Sequence, residues 1–229
     1  KPLTKLNSKK VSFNGVAISH PERIVYPETT ITKGDVAEYY AKVAALMLPF
    51  VDGRLISLLR CTEGIGGECF FQRNPMKGIG NSVKSKAITH KVNQHEYIYV
   101  EDEVGILQLV QMGTIEFHAW QSTLKDKGKP DQIIFDLDPD EGVPFEAVKL
   151  AAEDIRNRLK KIGLISFARL SGGKGVHVVV PIEPDYEWDE VKEFAREFSE
   201  RMTREVPDAY VANMSKKKRT GKIFIDFFR

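Results

Sequence analysis

The stretch from Gln132 to Asp140, QIIFDLDPD, decides how the rest of the chain is interpreted. Its apolar residues are typical of a buried β-strand, on which successive side chains alternate between two faces. Asp136 and Asp138 therefore share one face, and Pro139 ends the strand. Two neighbouring carboxylates repel each other unless a proton or a divalent cation offsets their charge. A metal site and an acidic turn with solvated aspartates are both consistent with this stretch alone.

A third aspartate lies in the last strand-like segment, IFIDFF. Asp226 shares its predicted face with Phe224 and Phe228, where an unpaired carboxylate would be costly. A salt bridge to a basic residue of the preceding loop is one solution. The other is convergence with Asp136 and Asp138, because three carboxylates can hold two cations about 4 Å apart. Oxygen ligands favour Mg²⁺ or Mn²⁺ over zinc.

The segment SGGKGVHVVV, residues 171–180, has the composition of a phosphate-binding turn. Its glycines let backbone N–H groups approach an anion, while Ser171 and Lys174 add a hydroxyl group and a positive charge. His177 follows on the next strand. The segment is not a P-loop, because GxxxxGK[ST] is absent and a strand follows it instead of a helix. A plain hairpin turn with a solvated lysine and a structural histidine is the alternative.

Size and composition set wider limits. A chain of 229 residues is long enough for one large domain or two packed subdomains, and 34 basic against 32 acidic residues leave a net charge of only +2. Cys61 and Cys69 lack the spacing of a zinc site or a disulfide framework, so reduced thiols are expected. No apolar run is long enough for a membrane helix, which predicts a cytoplasmic protein. The abrupt ends suggest a domain of a longer protein.

Hydrophobic periodicity and breaker residues predict the elements. In the first half these are a polar surface segment over residues 1–30, a helix from Thr32 to Pro49, a hairpin of the strand Arg54–Arg60 with CFFQRN, an irregular stretch over 74–95, a short strand Tyr97–Val100, a helix capped by Asp102, and an extended segment Gly113–Trp120. In the second half they are a helix from Pro144 to Gly163 with an apolar stripe that includes Phe145, strands Leu164–Leu170 and Val176–Pro181, a helix from Trp188 to Pro207, and a basic loop Ser215–Lys222. This order predicts an α+β fold with mixed and antiparallel sheets.

The motifs FDLDPD, SGGKGVHVVVP and IFIDFF, in this order, resemble those of the archaeo-eukaryotic primase superfamily. FFQRN, GTIEFHAW and PERIVYPE are similar to segments of the polymerase domain of bacterial DNA ligase D. The resemblance runs from about His20 to Arg229. It implies a primase-polymerase fold with an RRM-like catalytic core, its sheets flanked by helices around a central cleft. We expect one catalytic domain over 1–229, with a DNA-contacting subregion over about 1–130 and a catalytic subregion over about 131–229.

The resemblance implies a metal-dependent nucleotidyltransferase, a DNA or RNA polymerase that extends primers and adds terminal nucleotides at DNA ends in non-homologous end joining. It implies two Mn²⁺ or Mg²⁺ ions per active site and a preference for ribonucleotides. The implied partners are primer-template DNA with a 5′-phosphate, nucleoside triphosphates, the ligase and nuclease domains of the same parent chain, and a Ku-type end-binding protein, without a membrane. The implied location is the bacterial cytoplasm, at the nucleoid.

Individual residues match the motifs of that family. The implied metal ligands are Asp136, Asp138 and Asp226, which with His177 form the catalytic set; the nucleotide is assigned to Ser171, Gly173, Lys174 and His177; DNA is assigned to Arg23, Lys33, Phe70 and Phe71; His118 and Arg219 are accessory residues near the catalytic centre. Stacking of bases on the two phenylalanines would be tolerant of sequence. Alternatively, one of the two belongs to the core, because neighbouring strand residues face opposite ways.

One feature of the family is missing from this chain. A basic motif beyond the third acid supplies an arginine to the triphosphate in the family, and the sequence ends before it. Two other classes of protein remain open. A metal-dependent phosphodiesterase or nuclease would also use clustered aspartates, and a non-catalytic DNA-end-binding module would keep the phenylalanines and basic residues without needing three acids.

Overall fold

The computed structural model describes residues 11–90, 93–126 and 128–227, with residues 90 and 216 described by their backbone only. The chain divides into two units, Lys1–Trp120 and Gln121–Arg229, each with its own sheet and buried apolar cluster. Residues 1–10 of the predicted surface segment and Phe228, predicted to share the face of Asp226, lie outside the described residues. The expected single domain with a subregion boundary near residue 130 stays a prediction.

The N-terminal unit combines short hairpins, two helices and a five-stranded sheet. In chain order its elements are β1 (Val11–Phe13), β2 (Val16–Ile18), β3 (Ile24–Tyr26), β4 (Ile31–Thr32), α1 (Lys33–Val51), β5 (Ile56–Arg60), β6 (Phe70–Gln72), β7 (Val83–His90), β8 (Asn93–Val100), α2 (Glu103–Gln111) and β9 (Thr114–Ala119). The order in the sheet is β6-β5-β8-β7, and β9 pairs with β5. The predicted hairpin of β5 with β6 is confirmed.

Two segments of this unit were predicted without the strands that they contain. The part of the predicted surface segment that is described contains β1, β2 and β3, and Val16, Ile18 and Val25 are buried in it. Residues 74–95, predicted to be irregular, contribute most of the β7–β8 hairpin, which pairs continuously from Val83 opposite Val100. The sequence hid this strand because its apolar residues do not alternate: the buried Ile88 shares a face with Lys84 and Lys86, whereas Val83 lies on the other face.

Both helices of this unit begin at the predicted caps. The backbone N of Asp35 donates to Thr32 Oγ1 (3.2 Å) and the backbone N of Thr32 donates to Asp35 Oδ2 (2.8 Å), which completes a capping box. Asp102 Oδ1 accepts from the backbone N of Gly105 at the start of α2. The end predicted for α1 was early, because Pro49 lies inside the helix, which continues to the buried Val51.

The expectation of free thiols is also wrong. Cys61 directly follows β5 and Cys69 directly precedes β6, so the hairpin brings their Cα atoms to 4.4 Å and the two sulfurs are bonded. The closed loop is fastened further by two backbone hydrogen bonds, from Ile65 N to Val25 O and from Cys61 N to Gly113 O, both 2.9 Å long. The disulfide therefore closes a turn whose ends the strand pairing already holds together.

The C-terminal unit contains a five-stranded sheet and two long helices. Its elements are β10 (Gln132–Pro139), α3 (Phe145–Lys161), β11 (Phe167–Leu170), β12 (Val176–Pro181), α4 (Trp188–Glu205), β13 (Tyr210–Val211), a short 3-10 helix (Lys216–Lys218) and β14 (Ile223–Asp226). The sheet order is β11-β12-β10-β14-β13, with β13 and β14 parallel and the other pairs antiparallel. The predicted α+β class with mixed sheets is confirmed, although β13 was not predicted.

One face of this sheet is covered by α3 and α4. Phe135, Leu137, Val178 and Ile225 are almost fully buried there, against helix residues such as Ile155. Phe145 is an exception to the predicted stripe: it is 49% exposed, because it occupies the first position of α3. Since side chains alternate along a strand, Asp136, Asp138 and Asp226 lie on the opposite face. No described helix combines the length and apolar character that a bilayer crossing needs.

Gly175 allows the turn before β12 to lie directly on β10. A Cβ atom built at this position would lie 2.5 Å from the carbonyl oxygen of Leu137 and 3.6 Å from Asp136 Oδ1. Gly173, two residues earlier, offers a contrast: a Cβ there would meet only Ser171 Oγ, at 3.9 Å. Close approach to the acidic strand therefore restricts residue 175 to glycine, while residue 173 is not restricted by packing.

We predict that Gly175→Ala destabilises the C-terminal unit, because the strand backbone must shift to relieve the overlap. Such overpacking costs about 1–3 kcal/mol. Gly173→Ala is the matched control, and its free energy of unfolding should be unchanged or slightly raised. Urea unfolding of both variants measures the difference, and equal stabilities would contradict the close approach.

Candidate active site and phosphate pocket

A row of polar residues crosses four neighbouring strands of the C-terminal sheet. Strand register places Arg169 of β11 opposite His177 of β12, His177 opposite Asp136 of β10, and Asp136 opposite Asp226 of β14. Directly opposed residues in antiparallel pairs have Cα atoms about 4.5–5.5 Å apart. The sequence separates these four residues by up to ninety positions, and the sheet makes them neighbours.

Asp136 and His177 form the buried centre of this row. They are 7% and 9% exposed, and Nε2 of His177 lies 3.4 Å from Oδ1 of Asp136. On the other side of the ring, Nη2 of Arg169 lies 2.9 Å from Nδ1 of His177. The histidine therefore contacts a cation with one nitrogen and a carboxylate with the other. The register therefore brings Asp136, Asp226 and His177 together on one face of the sheet.

Asp138, on the same strand face, is held by Arg219 from the loop before β14. Nη1 of Arg219 lies 3.4 Å from Oδ2 of Asp138, and Nη2 donates to the carbonyl oxygen of Met214 (2.9 Å). The guanidinium carbon lies 3.7 Å from the ring centre of Phe224, which is a cation–π contact. Nε of Arg219 is buried without a hydrogen-bond partner among the described residues. The arginine thus neutralises Asp138 although its own hydrogen bonding is incomplete.

The three carboxylates are chemically of the type that binds divalent cations, but in this structure they do not form a metal site. Among the described residues no three His, Cys, Asp or Glu side chains form a metal-binding group, because Asp136 and Asp138 are directed to His177 and Arg219. However, Asp136 and Asp226 are directly opposed and Asp138 shares their face, which supplies oxygen ligands of the kind that Mg²⁺ and Mn²⁺ prefer. In this structure Asp138 is occupied instead by Arg219.

The predicted phosphate turn lies at one end of the row. Ser171, Gly173 and Lys174 are exposed in the turn between β11 and β12, and Gly172 adopts a positive φ of 86°. His177 is the member of this motif that reaches the carboxylates. The turn therefore presents a hydroxyl group, an ammonium group and backbone N–H groups to solvent, beside the strand that carries His177.

A second basic site lies within the N-terminal unit, in a cavity of about 220 Å³ whose lining includes Arg23 and Lys33. Lys33 Nζ donates to Gln111 Oε1 (3.0 Å) and to the backbone oxygen of Ser19 (3.0 Å). Gln111 is fixed in turn, because its Nε2 donates to Ser19 Oγ (2.7 Å). Arg23 donates to the carbonyl oxygen of Thr62. The two predicted phosphate-binding cations are thus brought into one cavity.

The electrostatics of this cavity favour an anion. Burial, and to a smaller extent the positive charge of Arg23, together lower the pKa of Lys33 to about 8. Among the described residues, the carboxylate of Glu63 lies 3.2 Å from Arg23, but its side chain is 72% exposed. Two cations are therefore held close together with little compensation, and a bound phosphate would supply the missing negative charge.

Phe70 and Phe71 are both solvent-accessible, at 39% and 67% exposure, so neither belongs to the core. Arg60 lies over the ring of Phe70 at 5.3 Å. Phe71 makes an edge contact with His118, with ring centres 5.3 Å apart, and His118 Nε2 lies 2.7 Å from Glu116 Oε2. Two exposed, supported aromatic rings on neighbouring residues are suited to stacking with bases.

Comparison with known proteins decides the family. The family model described as "LigD, primase-polymerase domain" matches residues 32–229. This chain belongs to the LigD primase-polymerase domain family. The match includes the acid row, the phosphate turn and Lys33, whereas Arg23 precedes it.

Relatives and a solved structure agree with this assignment. The multifunctional non-homologous end joining protein LigD of Pseudomonas aeruginosa is 36% identical over 222 residues, which cover 97% of this chain and 26% of that protein. The bifunctional LigD of Bacillus subtilis is 28% identical over 209 residues, which cover 91% of this chain and 33% of that protein. The polymerase domain of Mycobacterium tuberculosis ligase D, solved in complex with DNA, matches with a TM-score of 0.85 and 26% identity, covering 93% of this chain and 77% of that chain. The chain spans about a third or less of these curated relatives.

Two contributors to the sites of this LigD-family domain were not predicted. Gln111 gave no signal, since a glutamine at the end of an amphipathic helix is ordinary. Arg169 could have been found: a hairpin turn centred on Gly173 pairs residue 169 with residue 177, and the sequence offers both the turn and the strands. Residues 169 and 177 lie at equal distances from the centre of the turn, so counting outward from Gly173 would have identified Arg169 without any motif.

The lowered pKa of Lys33 predicts a pH-dependent contribution to stability. Between pH 8 and 10.5, the pKa of an ordinary lysine, folded Lys33 binds fewer protons than the unfolded chain. The free energy of unfolding should therefore rise with pH in this window relative to a Lys33→Met variant. Urea unfolding at about pH 7 and pH 10 measures this, with Lys42→Met, an exposed lysine of α1, as the control. A difference between wild type and Lys33→Met that does not change with pH would contradict the shift.

Proposed function

We propose that this LigD-family domain is a metal-dependent nucleotidyltransferase that extends a primer 3′-OH, or adds terminal nucleotides, at DNA ends in non-homologous end joining. The observation that carries the proposal is the register that aligns Asp226, Asp136 and His177 across one sheet face, with Asp138 beside them. Family membership and the names of the relatives support the setting in DNA repair. The setting proposed for this activity is the bacterial cytoplasm, at the nucleoid.

Asp136, Asp138 and Asp226 are the residues that would hold two Mn²⁺ or Mg²⁺ ions. Ions bound there would lower the pKa of the primer 3′-OH and stabilise charge on the pyrophosphate leaving group. The protein itself supplies a rigid strand pair that fixes the spacing of the carboxylates. Arg219, now on Asp138, would move from the carboxylate when the ions bind, and its positive charge would remain near the reacting phosphates.

The incoming nucleotide would be bound by the turn that follows β11. Lys174 and Ser171 are exposed where they can donate to phosphate oxygens, and Gly173 leaves the backbone accessible. His177 would donate from the strand to the phosphate nearest Asp136. These neutral and cationic donors offset the charge of a triphosphate beside three carboxylates. A preference for ribonucleotides is part of the proposal and is carried by the family resemblance alone.

DNA would be recognised by the N-terminal unit. Phe70 and Phe71 would stack on template bases, at about 1–3 kcal/mol per base, with His118 supporting the second ring. Arg23 and Lys33 would bind the 5′-phosphate of a downstream strand in their shared cavity. The remaining partners, which are ligase and nuclease domains of a longer parent chain and a Ku-type end-binding protein, are proposed from the multidomain relatives and the family.

The acid row is tested by extension of a labelled primer on a template with nucleotides and Mn²⁺. Asp136→Ala, Asp138→Ala and Asp226→Ala should each lower the rate by at least about a thousandfold, because each removes a ligand from the charge-stabilising site. Glu141→Ala, which removes an exposed carboxylate just after β10, should leave the rate unchanged. Circular dichroism should show folded proteins throughout.

The same assay separates the other classes of function. A primer that shortens with Mn²⁺ would indicate a phosphodiesterase. A primer that stays unchanged, together with tight DNA binding and no binding of Mn²⁺ in titration, would indicate a non-catalytic end-binding module. Full activity of any one aspartate variant would contradict the proposed set of ligands.

The phosphate pocket is tested with gapped DNA that carries either a 5′-phosphate or a 5′-hydroxyl. Lys33→Ala and Arg23→Ala should weaken binding of the phosphorylated DNA about tenfold or more and leave the hydroxylated DNA nearly unaffected, since a charge-assisted phosphate contact is lost. Lys42→Ala is the control for a general loss of positive charge. Equal losses of affinity for both DNAs would show that the two residues make ordinary salt-dependent contacts with the DNA backbone and do not recognise the 5′-phosphate.

A further inference from the structure

We infer that Arg169 is a positioning residue that fixes the ring orientation and tautomer of His177, and so prepares His177 to bind the nucleotide. The inference rests on the proposed function of His177 and adds to it a residue outside the predicted site. It is carried by the contact between Nη2 of Arg169 and Nδ1 of His177, at 2.9 Å, on paired strands.

The backbone fixes the positions of the two residues that make this contact. Arg169 lies on β11, directly opposite His177 of β12, and the short turn from Ser171 to Gly175 joins the two strands. Gly175 is pressed against β10, which fixes the turn and therefore the register. Strand pairing and the short turn therefore hold the arginine opposite the histidine, so the contact does not depend on a flexible loop.

The chemistry of the contact allows one arrangement of protons. A guanidinium group has five N–H donors and no acceptor, so a nitrogen that bonds with it must accept. Nδ1 of His177 is therefore the acceptor, and in a neutral ring the hydrogen is carried by Nε2. A hydrogen on Nδ1 would point at an N–H group of Arg169. The arginine thus selects the Nε2–H tautomer.

The tautomer determines whether the other ring nitrogen, Nε2, carries a hydrogen. Nε2 lies 3.4 Å from Oδ1 of Asp136, so its hydrogen points into the acid row, where the proposed function places phosphate oxygens. An Nε2–H group donates to a phosphate, whereas a bare Nε2 repels it. Arg169 should therefore influence nucleotide affinity through His177 without touching the reacting atoms.

The tautomer can be observed directly, without nucleotide or catalysis. Nitrogen-15 spectra of labelled histidine distinguish the two tautomers, and the signal of His177 is assigned by its loss in His177→Ala. In the wild type near neutral pH we expect the Nε2–H pattern, and in Arg169→Met a mixture that contains Nδ1–H. Arg169→Lys, which keeps a cationic donor, should restore part of the wild-type pattern. Arg156→Met, an exposed arginine of α3, should leave it unchanged.

Kinetics then tests the role in nucleotide binding. Arg169→Met should raise the KM for the nucleotide about tenfold, the effect of one charge-assisted hydrogen bond, and change kcat by less than about twofold. In a His177→Ala background the same substitution should have no further effect, because the residue through which it acts is gone. Arg169→Lys should recover most of the loss in KM.

Two results would overturn the inference. One is an unchanged His177 spectrum in Arg169→Met. The other is an equal rise in KM with and without His177, which would assign Arg169 to the nucleotide itself. If the wild-type domain extends no primer, the proposed function fails, while the spectra still decide whether Arg169 sets the tautomer.

Discussion

The antiparallel register of β10 with its two neighbours is the constraint on which the site depends. It places Asp136 between His177 and Asp226, and it also places Phe135 and Leu137 in the buried cluster under α3 and α4. Because strand side chains alternate, a slip of one residue would bury the aspartates and expose the core. The apolar face thus holds the acidic face in place: burial of large side chains fixes a register that the carboxylates alone would oppose.

The same register creates an electrostatic cost that the structure offsets with internal cations and donors. Carboxylates on one face raise each other's energy, most of all for Asp136, which is nearly buried. His177 offers Asp136 a donor, and Arg219 offers Asp138 a guanidinium that also stacks on Phe224. These are contacts that divalent cations would replace in part. The core, and not the charges, therefore determines the strand register that sets the positions of these carboxylates.

Much of this arrangement follows from the sequence, and the parts that do not have identifiable reasons. Alternation in QIIFDLDP and IFID predicted which residues share a face, and the caps at Thr32 and Asp102 predicted both helix starts, because these signals are local. Pairing partners are not local. The charged strand β7 was missed because its apolar residues Val83 and Ile88 lie on opposite faces, which leaves no apolar face to recognise, and the bond between Cys61 and Cys69 was missed because only the β5–β6 hairpin brings them together. The ion pair of Asp138 with Arg219 likewise depends on the path of a loop that no spacing rule specifies.

The two phosphate-binding regions use different physics, and the difference suits their proposed ligands. The cavity of Arg23 and Lys33 is partly desolvated, so that burial brings the pKa of Lys33 to about 8 and a single doubly charged group would restore the balance of charge. The turn from Ser171 to Gly175 is exposed and glycine-rich, which suits a ligand that must arrive and leave in every cycle. A charged and partly desolvated cavity would favour long residence of the proposed DNA end, because part of the desolvation cost has already been met in the folded protein. An open turn favours rapid exchange of nucleotides, since its donors remain hydrated until the phosphate binds. The proposed function, in which the domain would hold one end while adding successive nucleotides, needs both properties, and each property belongs to a different unit of the chain.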